Sequence, residues 1–131
     1  VALVAGFALA AKLCNEEADD HMKECEKLKV QLLESIKGLD YKINGDQKYC
    51  IPNTLNISFT GVDAEGFFVS LKDDYAFSNG SACNSGNHAP SYVLTSMGLD
   101  EKRVSEAIRI SWSHDSVADF CALRKYVESV I

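Results

Sequence analysis

From Glu16 to Lys37, the apolar residues Met22, Cys25, Leu28, Leu32 and Ile36 recur at spacings of three and four. That spacing follows the 3.6-residue period of an α-helix and gathers the five side chains into one stripe. Glu16, Glu17, Asp19, Asp20, Lys23, Glu24, Glu26, Lys27 and Lys29 fill the other faces, with acids early and lysines later, as the helix dipole prefers. A helix this long and one-sided must lie on something, so the rest of the chain has to supply an apolar surface. Gly38 stands where the helix should be capped.

Val1 to Leu13 precedes it and is apolar and Ala-rich almost all round. It predicts a second helical stretch, with the pattern resetting around Cys14 and Asn15. It resembles the apolar core of a signal peptide but has no basic region before it, and Lys12 interrupts it. It falls short of the roughly 20 residues that a membrane-spanning helix needs. We read it as a helix of a longer parent chain, whose apolar surface something should cover.

The rest of the chain predicts short strands and shorter helices. Tyr41 and Ile43 alternate in Asp40 to Asn44, and Asn44-Gly45-Asp46 is a turn signal. After Pro52, Leu55, Ile57 and Phe59 alternate strictly with Asn56, Ser58 and Thr60, the mark of a half-buried strand ended by Gly61. Asp63 is placed to cap a short helix carrying Phe67, Phe68 and Leu71. Tyr75-Ala76-Phe77 reads as a brief strand, and Pro90 as the first residue of a helix that Gly98 stops. Asp100 caps one further turn. Ala107 to Trp112 alternates as a strand with Ile108 and Ile110 inward and Arg109 opposite. Asp115-Ser116 caps a last helix with Val117, Phe120, Cys121, Val127 and Ile131 in a stripe. Strands close in sequence, mixed with helices, imply an α+β fold. We expect a two-layer domain, with a small, mainly antiparallel sheet packed against helices and a long N-terminal helix.

Several function classes are excluded at this level. A net charge of −6 over 131 residues argues against nucleic acid and against an anionic membrane surface as direct partners. The five cysteines, Cys14, Cys25, Cys50, Cys83 and Cys121, are widely spaced, and His21, His88 and His114 are scattered. No metal site or disulfide framework is expected; reduced thiols in a cytosol-like compartment are. Cys14, Cys25 and Cys121 lie on or beside apolar stripes and read as core thiols, Cys50 as a turn residue. His114 reads as solvated, and Asn53 and Asn56 as residues that pin strand ends.

Cys83 is different. It sits in Ser78-Asn79-Gly80-Ser81-Ala82-Cys83-Asn84-Ser85-Gly86-Asn87, a run without a large apolar residue. Glycine and serine let such a backbone turn freely and present a thiol outward. The alternative is an incidental surface cysteine. His88, close in sequence, is a possible accessory proton donor or acceptor, and otherwise a solvated loop residue. Arg109 could be a bidentate clamp for a carboxylate or phosphate, or an ordinary exposed strand arginine.

Taken together, Pro52-Asn53-Thr54-Leu55-Asn56-Ile57-Ser58-Phe59, Gly80-Ser81-Ala82-Cys83, Pro90-Ser91-Tyr92-Val93-Leu94, Met97-Gly98-Leu99 and Ile108-Arg109-Ile110-Ser111 resemble the C-terminal part of group I cysteine desulfurases. These are fold-type I enzymes of the class-V aminotransferase group. The resemblance implies that Cys83 is the nucleophile that takes sulfur from L-cysteine as a persulfide, releasing L-alanine. It implies that Arg109 grips the substrate carboxylate, and that a sulfur-acceptor protein then receives the sulfur for iron–sulfur cluster biogenesis or a related pathway. It further implies a pyridoxal 5′-phosphate cofactor and a cytoplasmic homodimer for the parent enzyme. The cofactor's lysine, stacking histidine and pyridine-binding Asp would lie in a large domain upstream, so no cofactor-binding residue and no bound cofactor are expected in this chain. Residues 1–131 are then one small C-terminal domain, with a helical connector at 1–38 and a sheet-helix part at 39–131 bearing the cysteine loop at 78–89. Trp112-Ser113-His114 departs from the family's turn after the arginine strand. The chief alternatives are a stand-alone persulfide carrier or protein-interaction module, and a domain that keeps only the fold.

Overall fold

The computed structural model describes residues 1–75, 77 and 90–131. Helix α1 runs unbroken over Ala2–Ser35. The expected reset at Cys14 and Asn15 is absent, because neither residue is a glycine or a proline. Each costs only about 0.7 kcal/mol relative to alanine in a helix, too little to break the ladder. Val1 to Glu17 are all exposed, and the buried residues of α1 are Cys25, Leu28, Lys29 and Leu32. The helix stops slightly before the expected cap: Ile36 closes it, and Gly38 takes φ +87° in the turn beyond.

Three strands, β1 (Tyr41–Asn44), β2 (Thr54–Phe59) and β3 (Ala107–Ser111), form an antiparallel sheet in the order β1-β2-β3. One face carries Leu55, Ile57, Phe59, Ile108 and Ile110. Leu28, Leu32 and Ile36 pack on it together with residues of α2 (Ala64–Leu71) and α5 (Cys121–Val130). This is the α+β arrangement expected, with its main core between the sheet and these helices. Phe67 is the hub of the aromatic contacts, with ring centroids 6.2 Å from Phe59, 5.1 Å from Phe77 and 5.5 Å from Tyr126. On the opposite face Ala107 meets Leu94 and Val104, from the short helices α3 (Tyr92–Ser96) and α4 (Glu101–Ser105).

Local signals hold where a side chain has a free partner. Asp63 accepts from the Gly66 N–H at 2.8 Å, and Asp100 from the Arg103 N–H at 2.9 Å. That second bond, first among several causes, holds the Asp100 carboxyl below its usual range. Other signals fail. Pro90 is not in α3, whose cap is Ser91. Tyr75 and Phe77 are in no strand; their rings stack at 5.0 Å instead. Asp115 does not start α5, because its carboxylate is taken by the Ser113 hydroxyl in a turn that Ser116 also closes. The helix begins at Cys121, whose N–H bonds to Asp119 at 3.0 Å. The stripe therefore shifts: Phe120, Leu123 and Val127 are buried, while Val117, Cys121 and Ile131 are exposed. Cys14 is exposed as well, so Cys25 alone of the three expected core thiols is buried. Among the described residues, no helix is long and apolar enough to cross a membrane.

Candidate functional site

Cys83 and His88, with the loop 78–89, lie outside the described residues. What the fold does place is the arginine and the surface around it. Arg109 is the middle residue of β3, half-buried, with Ile108 and Ile110 turned to the core on either side of it. Its partner in register is Asn56 of β2. The Trp112 N–H donates to the Asn53 carbonyl at 3.0 Å, so that pair is hydrogen-bonded in the ladder. Alternation along an antiparallel ladder then makes Asn56 and Arg109 a non-hydrogen-bonded pair, with α-carbons about 4.5 Å apart and side chains close on the same face. Asn56 is thus mid-strand and central to this face, not a residue that pins a strand end.

The face is polar, and its polarity is organised by residues that the sequence pattern did not single out. Arg103, brought over the sheet by the Asp100-capped helix α4, donates from Nε to Asn44 Oδ1 at 2.7 Å and from Nη2 to the Ile43 carbonyl at 3.0 Å. Asn44 Nδ2 donates to Asn56 Oδ1 at 2.6 Å and to Ser58 Oγ at 2.8 Å. Ser58 Oγ in turn donates to the Arg103 carbonyl at 2.7 Å, closing a ring. Asn44 and Ser58 are buried, so these bonds meet groups that would be costly to leave unpaired. Strand alternation alone puts Asn44 and Asn56 on the face opposite Tyr41 and Ile57. Nothing in the sequence ties Arg103 to them across 59 positions.

A cleft of about 140 Å³ beside this ring is lined by Lys42, Ser58, Thr60, Asp100, Lys102, Arg103 and Glu106. A second hollow, of about 270 Å³, lies between α1 and the strand ends, lined in part by His21, Cys25, Asn53 and His114. There the His21 and His114 rings stack at 3.6 Å, and His114 is exposed to solvent, as expected. Among the described residues no group of three or more His, Cys, Asp and Glu is placed to hold a metal ion.

No family model matches the chain. Individual proteins do. The cysteine desulfurase IscS of Proteus mirabilis is 38% identical over 109 residues, covering 82% of this chain and 27% of that protein. A NifS-like protein from Rickettsia africae has the same fold with a TM-score of 0.73 and 28% identity, covering 97% of this chain and 33% of that one. DndA from Streptomyces lividans matches with a TM-score of 0.59 and 36% identity, over 82% of this chain and 30% of its own. The chain thus spans about a third or less of the length of the proteins it matches, and nearly all of it is accounted for by them. In sequence and in fold, it is a relative of the cysteine desulfurases that corresponds to about a third of such a protein.

Proposed function

We propose that this chain is the small C-terminal domain of a cysteine desulfurase, with residues 1–38 as the helical connector and 39–131 as the part that carries the chemistry. Arg109 binds the carboxylate of L-cysteine. Cys83, in its glycine- and serine-rich stretch of sequence, takes the substrate sulfur: the substrate C–S bond breaks, an S–S bond forms on Cys83, and L-alanine leaves. The outer sulfur of the persulfide then passes to a thiol of an acceptor protein, a new S–S bond forming there as the one on Cys83 breaks and Cys83 leaves as its thiol; the acceptor serves iron–sulfur cluster assembly or a related sulfur pathway. His88 is an accessory proton carrier for the loop. The parent is a cytoplasmic homodimer. The observation that carries this reading is the register of Arg109 against Asn56 on an ordered polar face, in a chain 38% identical to a desulfurase.

The described residues do not by themselves make a pyridoxal phosphate site. The lysines at the polar cleft, Lys42 and Lys102, are exposed. Asp100 and Glu106 line that cleft where a phosphate would need donors, and no aromatic ring lines it to stack on a pyridine. Lys29, the buried lysine, is on α1, which packs on the other face of the sheet. On this reading the cofactor is held by residues of the parent enzyme outside the third that these 131 residues match, and the 131 residues alone are expected neither to bind it stably nor to release sulfide from L-cysteine.

The test is a chimera in which this chain replaces the matching third of the Proteus mirabilis desulfurase. A cofactor-loaded chimera should release sulfide from L-cysteine under reductant. Cys83→Ser should abolish release, and Arg109→Ala should weaken substrate binding. A folded, cofactor-loaded chimera without activity would sink the proposal. Selective sulfur uptake on Cys83 of the chain alone, from a separate desulfurase, would favour the stand-alone carrier instead.

A further inference from the structure

The ring around Asn44 has a fixed direction. A guanidinium can only donate, so Arg103 Nε forces the oxygen of the Asn44 amide toward itself. The Asn44 amide nitrogen must then face Asn56 and Ser58. The Ser58 proton is committed to the Arg103 carbonyl, so its oxygen can only accept from Asn44. The amide of Asn56 is fixed in consequence: its oxygen accepts from Asn44 at 2.6 Å, and its NH2 points away. That NH2 donates to nothing among the described residues, and Asn56 is only half-buried. It stands on the face where Arg109 is the cross-strand neighbour.

We infer that Asn56 is a second carboxylate donor beside Arg109, and that Arg103 and Asn44 are positioning residues that hold its NH2 outward. The inference rests on the reading of Arg109 as the carboxylate-binding residue. An arginine and an amide side by side can grip both oxygens of one carboxylate, fixing its plane as well as its place. An amide free to turn would offer an oxygen half the time and repel the same ligand. The ring from Arg103 removes that choice.

The variant that isolates this is Asn44→Asp. An aspartate still accepts from Arg103, and now as a charged pair, so the fold keeps its anchor. It can no longer donate to Asn56, whose amide then turns its NH2 inward and its oxygen toward the ligand. Propionate is titrated into the isotope-labelled full chain, and the side-chain NMR signals of Arg109 Nε and Asn56 Nδ2 are followed. We expect both to move with one dissociation constant. Loss of one hydrogen bond to a charged group should weaken binding roughly tenfold in Asn44→Asp and in Asn56→Ala, with the thermal midpoint of Asn44→Asp unchanged. A purely structural Asn44 would not move the affinity while sparing the midpoint. If Arg109 moves and Asn56 does not, or if Asn44→Asp binds like the parent, the inference fails and the reading of Arg109 stands. If neither signal moves, both fall together.

Discussion

Trp112 donates its indole N–H to the carbonyl oxygen of Cys25 at 3.0 Å, fastening the exit of β3 to the middle of α1. The ring also packs against the main core. This one residue ties the strand of Arg109 to the long helix across 87 positions of sequence. Trp112→Phe keeps the apolar contact and removes the donor. It should cost about 1 kcal/mol, read as a lower denaturant midpoint at an unchanged slope.

Arg124 acts at the other end of the packed part of α1. Its Nη1 donates to the carbonyls of Ser35 at 2.8 Å and Lys37 at 3.0 Å, and its Nε to Glu128 at 2.8 Å. It supplies donors that the last turn of a helix lacks, with a positive charge at the dipole's negative end. Arg124→Ala should destabilise by about 1–2 kcal/mol. Arg124→Gln should recover part of that in urea melts, because it restores a donor without the charge. Equal losses in both variants would mean that the charge alone matters.

The thiols should differ in reactivity. Burial pushes the Cys25 thiol up, and Cys25 is closed off from solvent. Cys121 is exposed, yet its hydrogen bond to Asp119 and the charge beside it raise its pKa. Raised pKa values leave less thiolate at neutral pH and slow attack. Timed alkylation read by peptide mass spectrometry should therefore rank Cys14 and Cys50 ahead of Cys121, with Cys25 last. Rapid labelling of Cys25 in the native chain would mean that α1 lifts from the sheet.

Tyr75 should make stability fall at alkaline pH. Its hydroxyl donates to the Asp119 carbonyl, and burial is the first cause that raises its pKa above 10.0. The neutral form is favoured in the fold. The benefit is whole below the unfolded value and is lost as pH rises through the folded one. Unfolding midpoints should drop between those values in the parent chain and drop less in Tyr75→Phe. Identical profiles would remove Tyr75 from the account.

The apolar surface at the start of α1 should drive association. Leu3 is 90% exposed and Phe7 78%, with Val4 and Leu9 beside them and no covering element among the described residues. Light scattering should show mass rising with concentration, and Leu3→Glu with Phe7→Glu should suppress it. A parent chain that stays monomeric at high concentration would contradict this.

Much of the fold was legible because period and capping chemistry are local. The stripe from Cys25 to Ile36 and the alternation of Leu55, Ile57 and Phe59 each needed only neighbours in sequence, and Asp63 and Asp100 needed only the backbone three residues on. The failures share a cause. Asp115 carries the same signal as Asp63, but a nearby serine takes its carboxylate. Val117 fits a stripe that starts too early. Cys14 and Cys121 fit apolar patterns on surfaces that no described residue covers. At the site, the strand pattern put Arg109 opposite the core, and the resemblance gave it a task. Arg103 and Asn44 were hidden because their roles depend on a contact between α4 and β1 that no periodicity encodes.

Helix α1 has a mechanical consequence. At 1.5 Å per residue, its 34 residues extend about 51 Å, yet its buried residues begin only at Cys25, with His21 stacked on His114 one turn earlier. The remainder is a lever with its fulcrum near Cys25. Each degree of tilt there carries the Val1 end through about 0.6 Å. Whatever holds that end therefore sets the orientation of the sheet, and with it the aim of Arg109, by displacements too small to disturb the packing at the fulcrum.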